Sequence, residues 1–290
     1  MAERDPFSMF RERMAALDFR PSSVLGQNFL LDPSLHRFLA ERAGPTAADT
    51  VVEIGVGLGF LTRELAARAG RVVAVEIDGR LFQLAQEELA GCPNIDWVHG
   101  DALGGEGRSL HPAIAAAPVA AGGRLLVVAN LPYAVSGPLL AEIVALPTVP
   151  ERCVLLVQKE LAQRIAAPAG SKDYGSLAAL VQSVFTARSV RDVGPQVFRP
   201  RPKVTSAVLE LERRPTARLV AASGAERRSF AEFVRQLFQQ RRKVLRTTLP
   251  AAAAAIGKGP PALAAEQLMA RAEAIDPDTL VAWWAGCTGG

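Results

Sequence analysis

Three glycines at alternate positions follow a short apolar run near residue 50 and precede a helical pattern. They lie in the segment Glu53-Ile54-Gly55-Val56-Gly57-Leu58-Gly59. Glycines at a strand–helix turn allow a tight bend and let a ligand approach the backbone at the carboxyl edge of a sheet. The dinucleotide fingerprint needs its third glycine at position 60, which is Phe60, and no Lys-Ser/Thr pair follows as in a P-loop. The segment is therefore a different kind of ligand site or a purely structural turn.

The E-x-G-x-G-x-G pattern resembles motif I of Rossmann-like S-adenosylmethionine-dependent methyltransferases, and two acids stand where this resemblance needs them. Glu76 ends the next apolar run, 21 residues after Gly55, and a carboxylate there accepts the hydrogens of both ribose hydroxyls. Asp101 follows the third run and would accept a hydrogen bond from the adenine amine of the cofactor. Each acid alone is also typical of a solvated strand end, but acids and glycines at successive strand ends predict one ligand-binding edge.

A polar, proline-stiffened, aromatic turn, Asn130-Leu131-Pro132-Tyr133, follows the apolar run Leu125–Ala129. It resembles the N/D-P-P-Y/F motif of enzymes that methylate exocyclic amines of bases. Such an amine is a poor nucleophile because its lone pair is delocalised into the ring. The Asn130 side-chain oxygen and the carbonyl of Leu131 or Pro132 would accept the two amine hydrogens. Pro132 would fix the backbone, and Tyr133 would stack on the unstacked base. A β-turn with a core tyrosine is the alternative.

Further motifs occur in order along the chain: Leu25-Gly26-Gln27-Asn28-Phe29-Leu30, Gln158-Lys159-Glu160, Tyr174-Gly175-Ser176-Leu177, Val197-Phe198-Arg199-Pro200-Arg201-Pro202-Lys203-Val204 and Gln240-Arg241-Arg242-Lys243. With these motifs the chain resembles the KsgA (RsmA) family of ribosomal RNA small-subunit adenine dimethyltransferases from about residue 20 to the C-terminus. The resemblance implies transfer of two methyl groups from S-adenosylmethionine to each of two adjacent adenosines near the 3′ end of 16S rRNA, within ribosome biogenesis.

The resemblance also implies roles for individual residues. The cofactor-binding residues would be Asn28, Leu30, Gly55, Gly57, Glu76, Asp101 and Asn130. The catalytic residues would be Asn130, Leu131, Pro132, Tyr133 and Phe198. Phe198 would stack on the target base opposite Tyr133, and a core position is equally compatible with its sequence context. The cations that neutralise RNA phosphates would be Arg199, Arg201, Lys203, Arg241, Arg242, Lys243 and Arg246.

Two segments depart from the family pattern. The family commonly continues after N-L-P-Y with Asn or Asp and then Ser/Thr-Pro, whereas this chain has Ala134-Val135-Ser136-Gly137-Pro138. An Asn before Q-R-R-K is Gln239 here. The first departure leaves the cofactor turn intact and changes the segment that follows the aromatic residue.

The elements that must position these motifs alternate between β-rich runs and amphipathic stretches. The predicted strands are Thr50–Ile54, Arg71–Glu76, Ile95–Val98, Arg124–Ala129, Arg152–Gln158, Phe185–Arg191 and Val204–Leu211. Several are apolar on both faces, as buried parallel strands are, and helical patterns at Leu58–Ala69, Arg80–Leu89 and Pro138–Leu146 separate them. This alternation predicts a doubly wound α/β sheet, which the resemblance makes a Rossmann-like class I methyltransferase domain.

The tail of the chain is predicted to be a small all-helical domain. Helical patterns occur at Glu226–Leu245, Ala262–Ala272 and Pro277–Trp284, and Ala251–Ala255 with Gly257–Pro261 is interpreted as a low-complexity connecting loop. The predicted organisation is an N-terminal arm at 1–20, a methyltransferase domain at 21–214 and a helical RNA- or ribosome-binding domain at 215–290. The arm could be a packed helix or a segment that orders on binding.

Composition limits the class of protein and its partners. With 49% apolar and 21% charged residues, the chain is expected to be a globular protein with a large core. Fifteen Lys or Arg and only five acids lie between Arg188 and Arg246, which favours a polyanionic partner such as RNA over a merely solvated charged face. The three cysteines and three histidines lack disulfide or metal-ligand spacing. A cytoplasmic monomer without a metal or membrane association is expected.

The sequence motifs are compatible with two other functions. A 23S rRNA adenine methyltransferase of the macrolide-resistance type shares the Q-N-F-L and N-[LI]-P-Y motifs, although Leu131 and the Q-R-R-K segment fit the small-subunit enzymes better. A catalytically inactive assembly factor of the small subunit is the second alternative. The retained Glu76, Asp101 and N-L-P-Y turn disfavour it, because an inactive protein has no need of amine-directing groups.

Overall fold

A computed structural model of the chain describes Ser8, Glu12, Met14, Ala15 and residues 27–289. Its central feature is a seven-stranded sheet. Helices and strands carry numbers in chain order from residue 27. The strands of the sheet are β2 (Thr50–Ile54), β3 (Arg71–Glu76), β4 (Ile95–His99), β5 (Leu125–Asn130), β6 (Arg152–Gln158), β7 (Phe185–Val193) and β9 (Ser206–Arg213). All seven predicted strands are confirmed, each with ends within two residues of the prediction.

The sheet has the strand order β4-β3-β2-β5-β6-β9-β7. The pairs β2–β3, β2–β5, β3–β4 and β5–β6 are parallel, with Thr50 opposite both Arg71 and Leu125. Every residue of β2 is buried, as expected of a strand covered on both faces by helices. The chain order reverses between β2 and β5, and ligands of open α/β sheets bind where the order reverses.

Helices connect these strands in the first part of the chain. They are α1 (Pro33–Ala43), α2 (Phe60–Ala66), α3 (Gly79–Glu88), α4 (Pro112–Ala115), α5 (Ser136–Val144), α6 (Lys159–Ala166) and α7 (Ser176–Gln182). Local chemistry sets their ends: Asp32 caps α1 by accepting the N–H groups of Ser34 and Leu35, and Asp78 caps α3 in the same way. The fold class predicted from the sequence, α/β with helices after the strands, is confirmed.

The remaining elements include two short sheets and the C-terminal helices. A two-stranded sheet joins β1 (Phe29–Leu30) to β8 (Phe198–Arg199), and another joins β10 (Lys258–Gly259) to β11 (Thr288–Gly289). The C-terminal helices are α8 (Gly224–Gln239), α9 (Leu245–Ala255), α10 (Ala265–Leu268) and α11 (Pro277–Ala285).

Three secondary-structure predictions in this region were wrong. The pattern at Ala262–Ala272 forms only the short helix α10, at Ala265–Leu268. The pattern at Glu226–Leu245 does not form one helix, because α8 ends at Gln239 and the Q-R-R-K segment forms a turn before α9. The run Ala251–Ala255 is not a connecting loop but the last part of α9. Alanine has the highest helix propensity, and this helix buries Leu249, Ala252 and Ala253 on one face.

The described residues form two compact units. Unit 1 contains the described part of Met1–Leu139 together with Pro150–Lys159 and Ser189–Glu210. Unit 2 contains Leu140–Val149, Glu160–Arg188 and the described part of Leu211–Gly290. Each unit is made of several separate segments of the chain, whereas the sequence predicted two continuous domains that meet at residue 215. The predicted boundary therefore stays a prediction. Most of the predicted arm, residues 1–20, lies outside the described residues.

The cores of the units are built from different elements. In unit 1, apolar side chains of α1, α2 and strands β2, β3 and β5 form one continuous cluster, with Leu39, Val51 and Leu126 fully buried. In unit 2, α8 buries Phe230 and Phe233. Arg227 is also buried there, and its two terminal nitrogens donate to the carbonyl oxygens of Leu146, Leu219 and Ala222, which offsets part of the cost of burying its charge.

Candidate active site

A cavity of about 210 Å³ opens at the carboxyl edge of the sheet in unit 1. The cavity lies at the ends of β2, β3, β4 and β5, where the chain order of the sheet reverses. The predicted site residues that line it are Asn28, Gly55, Gly57, Glu76, Asp101, Asn130, Leu131, Pro132 and Tyr133. The structure therefore brings the glycine turn, both acids and the N-L-P-Y turn into one cavity.

The glycine turn after β2 requires glycine at the positions that face the cavity. Gly55 and Gly57 have φ values of 80° and 59°, a left-handed conformation that other residues adopt only at a cost. A Cβ on Gly57 would lie 3.3 Å from the Phe29 ring. The Gly57 N–H donates to the Glu76 carboxylate at 2.8 Å, so the turn and the acid at the end of β3 hold each other.

Glu76 is buried, and both of its carboxylate oxygens accept a backbone hydrogen bond. One oxygen accepts from Gly57 and the other from the N–H of Asp78 at 2.9 Å. Burial raises the pKa of Glu76, and the backbone N–H groups of Asp78, Gly57 and Ile77 partly oppose this rise. Each carboxylate oxygen has a second lone pair, so the group retains the capacity to accept from two hydroxyls in the cavity.

Asp101 stands exposed in the turn after β4. Its Oδ1 accepts the N–H of Leu103 at 2.9 Å, which fixes the side chain in the turn and leaves the second oxygen for another donor. Gly100, Ala102 and Leu103 line the cavity beside it.

Asn130 ends β5, and a hydrogen bond to the backbone near the start of the described chain orients its side chain. Its Nδ2 donates to the backbone carbonyl of Asn28 at 3.0 Å, across 102 positions of sequence. Because the amide nitrogen is used in this way, the side-chain oxygen of Asn130 is the atom that remains as an acceptor. The sequence assigned cofactor contact to both residues but did not predict this bond between them.

The hydrogen bonds of the turn after Asn130 show which carbonyl, that of Leu131 or that of Pro132, is free to accept an amine hydrogen. The Pro132 carbonyl already accepts from the Ser136 hydroxyl at 2.9 Å and from the Val135 N–H at 3.1 Å. These bonds close the turn into α5, and Ser136 is fully buried. The Leu131 carbonyl is therefore the better second acceptor for an amine. Ser136 lies in the segment that departs from the family pattern, so the departure includes a residue that builds the turn.

Tyr133 is half-buried, and its phenol is held by Ser206, the first residue of β9. The two oxygens lie 2.6 Å apart. Burial raises the pKa of Tyr133, so the phenol is neutral at physiological pH. Sequence reasoning missed Ser206, since no spacing rule links a serine after Thr205 to a tyrosine more than seventy positions earlier.

The short β1–β8 sheet joins two of the sequence motifs. Leu30 pairs with Phe198 and Phe29 with Arg199, and the Leu31 N–H donates to the Val197 carbonyl at 2.9 Å. Phe198 is 0% exposed and belongs to the same apolar cluster as Leu30. The predicted stacking of Phe198 on a base is therefore corrected to the alternative, a core position, because the ring has no free face to offer a base.

A smaller cavity of about 40 Å³ adjoins the glycine turn and is lined by Leu30, His36, Glu53, Gly55 and Asn130, among others. Both carboxyl oxygens of Glu53 are buried without a hydrogen-bond partner among the described residues. Burial raises the pKa of Glu53 to about 8, and burial lowers the pKa of His36 to about 4. Both side chains are thus mainly neutral at pH 7. Sequence reasoning recognised Glu53 only as part of a motif, although its position in a strand with apolar neighbours was a signal of its burial.

The orphaned carboxyl of Glu53 provides a test of whether the site fits S-adenosylmethionine. A buried carboxyl without a partner is costly, and a cavity of this size admits a water-sized polar group. The α-ammonium group of the cofactor would supply a positive charge and N–H donors as the missing partner of the Glu53 carboxylate. Glu53, Glu76 and Asp101 together supply acceptors for the donor groups along the length of this cofactor, so the residues present fit it.

The predicted RNA-binding cations lie in both units and differ in how they are held. In unit 1, Arg199 donates to the carbonyls of Phe198 and Gln196, whereas Arg201 and Lys203 are exposed. In unit 2, Arg241 pairs with Glu273 and donates to the Lys172 carbonyl at 2.5 Å. The three cations that follow it, Arg242, Lys243 and Arg246, are exposed. Arg241 is therefore mainly a structural residue.

The described residues contain neither a cluster suited to a metal ion nor a helix suited to crossing a membrane. Within residues 27–289 and the four described residues before them, no group of three or more His, Cys, Asp or Glu side chains could hold a metal ion. In the same part of the chain, no helix combines the length and the apolar character needed to cross a membrane.

Comparison with known proteins identifies relatives. A family model described as ribosomal RNA adenine dimethylase matches residues 19–256. A relative from Moorella thermoacetica, named Ribosomal RNA small subunit methyltransferase A, is 42% identical over 229 residues, which are 79% of this chain and 78% of the relative.

Two solved structures share the fold. A dimethyladenosine transferase from Plasmodium falciparum has a TM-score of 0.66 at 22% identity, covering 86% of this chain and 94% of that one. The 23S rRNA methyltransferase ErmE has a TM-score of 0.60 at 26% identity, covering 89% of this chain and 98% of that one.

Proposed function

The chain belongs to the ribosomal RNA adenine dimethylase family, and on this premise we propose that it dimethylates the exocyclic amines of two adjacent adenosines near the 3′ end of 16S rRNA. It is an S-adenosylmethionine-dependent methyltransferase acting on ribosomal RNA. The proposal extends to its setting: the substrate is the 16S rRNA within the small ribosomal subunit, and the protein acts as a cytoplasmic monomer during ribosome biogenesis.

One observation carries the proposal. Asn130, whose amide nitrogen is held by the Asn28 carbonyl, lines the same cavity as Gly57 and Glu76. A group that can accept the hydrogens of an amine therefore stands beside the groups that suit the cofactor. Methyl transfer requires this proximity, because the nucleophile and the methyl group must meet in one geometry.

The cofactor would be held by acceptors in the larger cavity and in the smaller cavity on the other side of the glycine turn. Glu76 would accept the ribose hydroxyls, Asp101 the adenine amine and Glu53 the α-ammonium group. Asn28, Leu30, Gly55 and Gly57 would surround it with backbone that approaches closely. When bound, the cofactor supplies an electrophilic methyl group on a sulfonium.

The target amine would be held by two acceptors. The side-chain oxygen of Asn130 and the carbonyl of Leu131 would each accept one amine hydrogen, which favours a pyramidal nitrogen with its lone pair directed at the methyl group. The Tyr133 ring, fixed by Ser206, would stack on the base after it has left the RNA stack. No histidine base is needed, since the amine proton becomes acidic once nitrogen carries the methyl group.

The RNA would be held mainly by phosphate contacts. The exposed cations Arg201, Lys203, Arg242, Lys243 and Arg246 would contribute affinity and salt dependence without reading base sequence. RNA shape and the presentation of an unpaired adenosine would then select the substrate. The 23S alternative is not favoured, because relatives that share 36–42% of their residues with this chain carry the small-subunit name.

The test is methyl transfer from labelled S-adenosylmethionine to small ribosomal subunits that lack dimethyladenosine, with the product nucleoside identified by mass spectrometry. Large subunits serve as the control. Dimethyladenosine on small subunits alone is expected. Dimethyladenosine on large subunits would overturn the substrate assignment, and intact cofactor and subunit binding without transfer would identify an assembly factor.

A further inference from the structure

Unit 2 contains a cavity of about 640 Å³ that has no part in the proposed methyl transfer. It opens to solvent and is lined by α6, the segment Lys172–Gly175, the first turn of α7, and the end of α8 with the turn after it. We call it the α6–α8 cavity. Its volume lies in the range of about 300–1,000 Å³ that is typical of small-molecule sites.

The α6–α8 cavity joins two sequence motifs that are absent from the cavity at the carboxyl edge of the sheet, which we call the catalytic cavity. Tyr174-Gly175-Ser176-Leu177 forms one side, and Arg241 of the Q-R-R-K segment forms another. These motifs are more than sixty positions apart in the sequence. Their meeting at one cavity suggests that they serve a common ligand.

One wall of the cavity is aromatic and rigidly held. Tyr174 is fully buried, and its hydroxyl donates to the Ile275 carbonyl at 3.2 Å. The Phe238 ring packs edge-on against Tyr174, with ring centroids 5.9 Å apart and an angle of 66°. Phe238 and Leu177 are only half-buried, so both keep apolar surface toward the cavity. A flat apolar group can stack there at little conformational cost.

The rim of the cavity is charged, and some of its charged side chains form ion pairs whereas others are exposed. Arg164 pairs with Glu160 at 2.6 Å, and Arg241 pairs with Glu273. Lys172 and Asp173 are exposed at the same rim. Directly after Arg241, the side chains of Arg242 and Lys243 are exposed. The cavity thus has an apolar floor, carboxylate acceptors at its edge and ammonium and guanidinium groups beside it.

We propose that the α6–α8 cavity binds one unpaired nucleotide of the RNA substrate, with the base against Phe238 and Leu177 and its phosphate beside Lys172. A nucleotide has a base with flat π-faces for the aromatic wall and N–H donors for Glu160 and Asp173, and a phosphate that favours nearby cations. This inference rests on the proposed function, which supplies the RNA. It adds a second nucleotide contact in unit 2, apart from the adenosine that is methylated.

The cavity can be closed without disturbing the residues that form it. Gly175 has extended backbone with φ −151°, which any residue adopts, and a Cβ there would meet no atom within 4 Å. The variant Gly175→Leu therefore places a side chain at the cavity edge. Gly91 is also free of atoms within 4 Å and has no positive φ, so Gly91→Leu is a matched control away from the cavity.

The experiment measures the affinity of the full-length variants for small ribosomal subunits that lack dimethyladenosine, by filter binding at fixed salt. We expect Gly175→Leu to weaken binding about tenfold, the loss expected when a base can no longer stack on an aromatic ring. Gly91→Leu should bind as the unmodified protein does. Calorimetric titration with S-adenosylmethionine should give the same affinity for all three proteins, which establishes that unit 1 is intact.

A second variant keeps the test decisive if Gly175→Leu does not fold. Phe238→Leu retains an apolar side chain but removes the aromatic face, and it should weaken binding severalfold while the protein stays folded, with a slightly lower melting temperature because the contact with the Tyr174 ring is lost. Affinity equal to that of the unmodified protein in a folded Gly175→Leu or Phe238→Leu variant overturns the inference. Failure of the proposed function would instead appear as absent methyl transfer by the unmodified protein, which leaves this binding comparison valid.

Discussion

The phenolic oxygen of Tyr133 lies 2.6 Å from the hydroxyl oxygen of Ser206, 73 positions further along the chain. Ser206 is fully buried at the start of β9, whereas the Tyr133 ring lines the catalytic cavity. A buried residue of the sheet therefore sets the position of an aromatic ring that would hold the target base. A hydrogen bond of this kind orients a group that contacts the substrate, although Ser206 itself does not touch the substrate.

Ser206→Ala should lower kcat for methyl transfer to small subunits about tenfold, because the Tyr133 ring loses its anchor and samples positions that do not fit the base. Cofactor affinity should be unchanged. The same reduction in Tyr133→Phe, with no further loss in the double variant, would establish that both act through this one bond. A fully additive double variant would contradict this coupling.

Asn130→Ala should reduce methyl transfer by about 100-fold or more while leaving affinity for small subunits unchanged, because it removes an acceptor for the amine and not a phosphate contact. Asn130→Asp sharpens the test. It keeps an acceptor oxygen but loses the donor that binds the Asn28 carbonyl, and it places a negative charge beside that carbonyl. Its transfer rate should also be low; an Asp variant as active as the unmodified protein would show that the Asn28 contact is dispensable.

Glu53 should couple cofactor binding to proton release. Burial raises its pKa to about 8 in the free protein, so the carboxyl is mainly protonated at pH 7, whereas an ammonium partner favours the carboxylate. Calorimetric titration at pH 7 in buffers of different ionisation enthalpy should therefore detect release of about one proton per cofactor. Glu53→Gln should release none and bind the cofactor more weakly.

The same group makes folding stability depend on pH. Folding raises the pKa of Glu53 from 4.5 to about 8. Its contribution to the free energy of unfolding is therefore fully present below pH 4.5 and is lost as the pH rises toward and through 8. Without cofactor, Glu53→Gln should thus have a higher melting temperature than the unmodified protein at pH 8, and the difference should shrink toward pH 5. An advantage that does not vary with pH would contradict the assigned ionisation.

Two adjacent arginines should give different phenotypes. Arg241 pairs with Glu273 and holds the Lys172 carbonyl, so Arg241→Ala should lower the free energy of unfolding by about 1–2 kcal/mol. Arg242 is exposed, so Arg242→Ala should leave the melting temperature unchanged. It should also reduce the slope of log affinity for RNA against log salt by about one. Equal melting temperatures for the two variants would refute the structural role of Arg241.

Local patterns in the sequence predicted much of this molecule. The strands ending at Ile54, Glu76 and Asn130 could be located because apolar runs bounded by glycines and acids are local signals. Since parallel strands present their carboxyl ends at one edge, the motifs after these strands were also expected to meet. The α/β class and most of the residues of the catalytic cavity follow from such rules.

The partners of individual side chains were decided only by the tertiary structure. The bonds from Asn130 to Asn28 and from Tyr133 to Ser206, and the ion pair of Arg241 with Glu273, join residues that no short-range pattern connects. The extent of burial was decided in the same way. Phe198 became a core residue because β8 pairs with β1, and the high pKa of Glu53 exists only because the folded sheet excludes water from it. Periodicity and turn chemistry act over a few residues, whereas hydrogen-bond partners and solvation depend on which distant segments pack together.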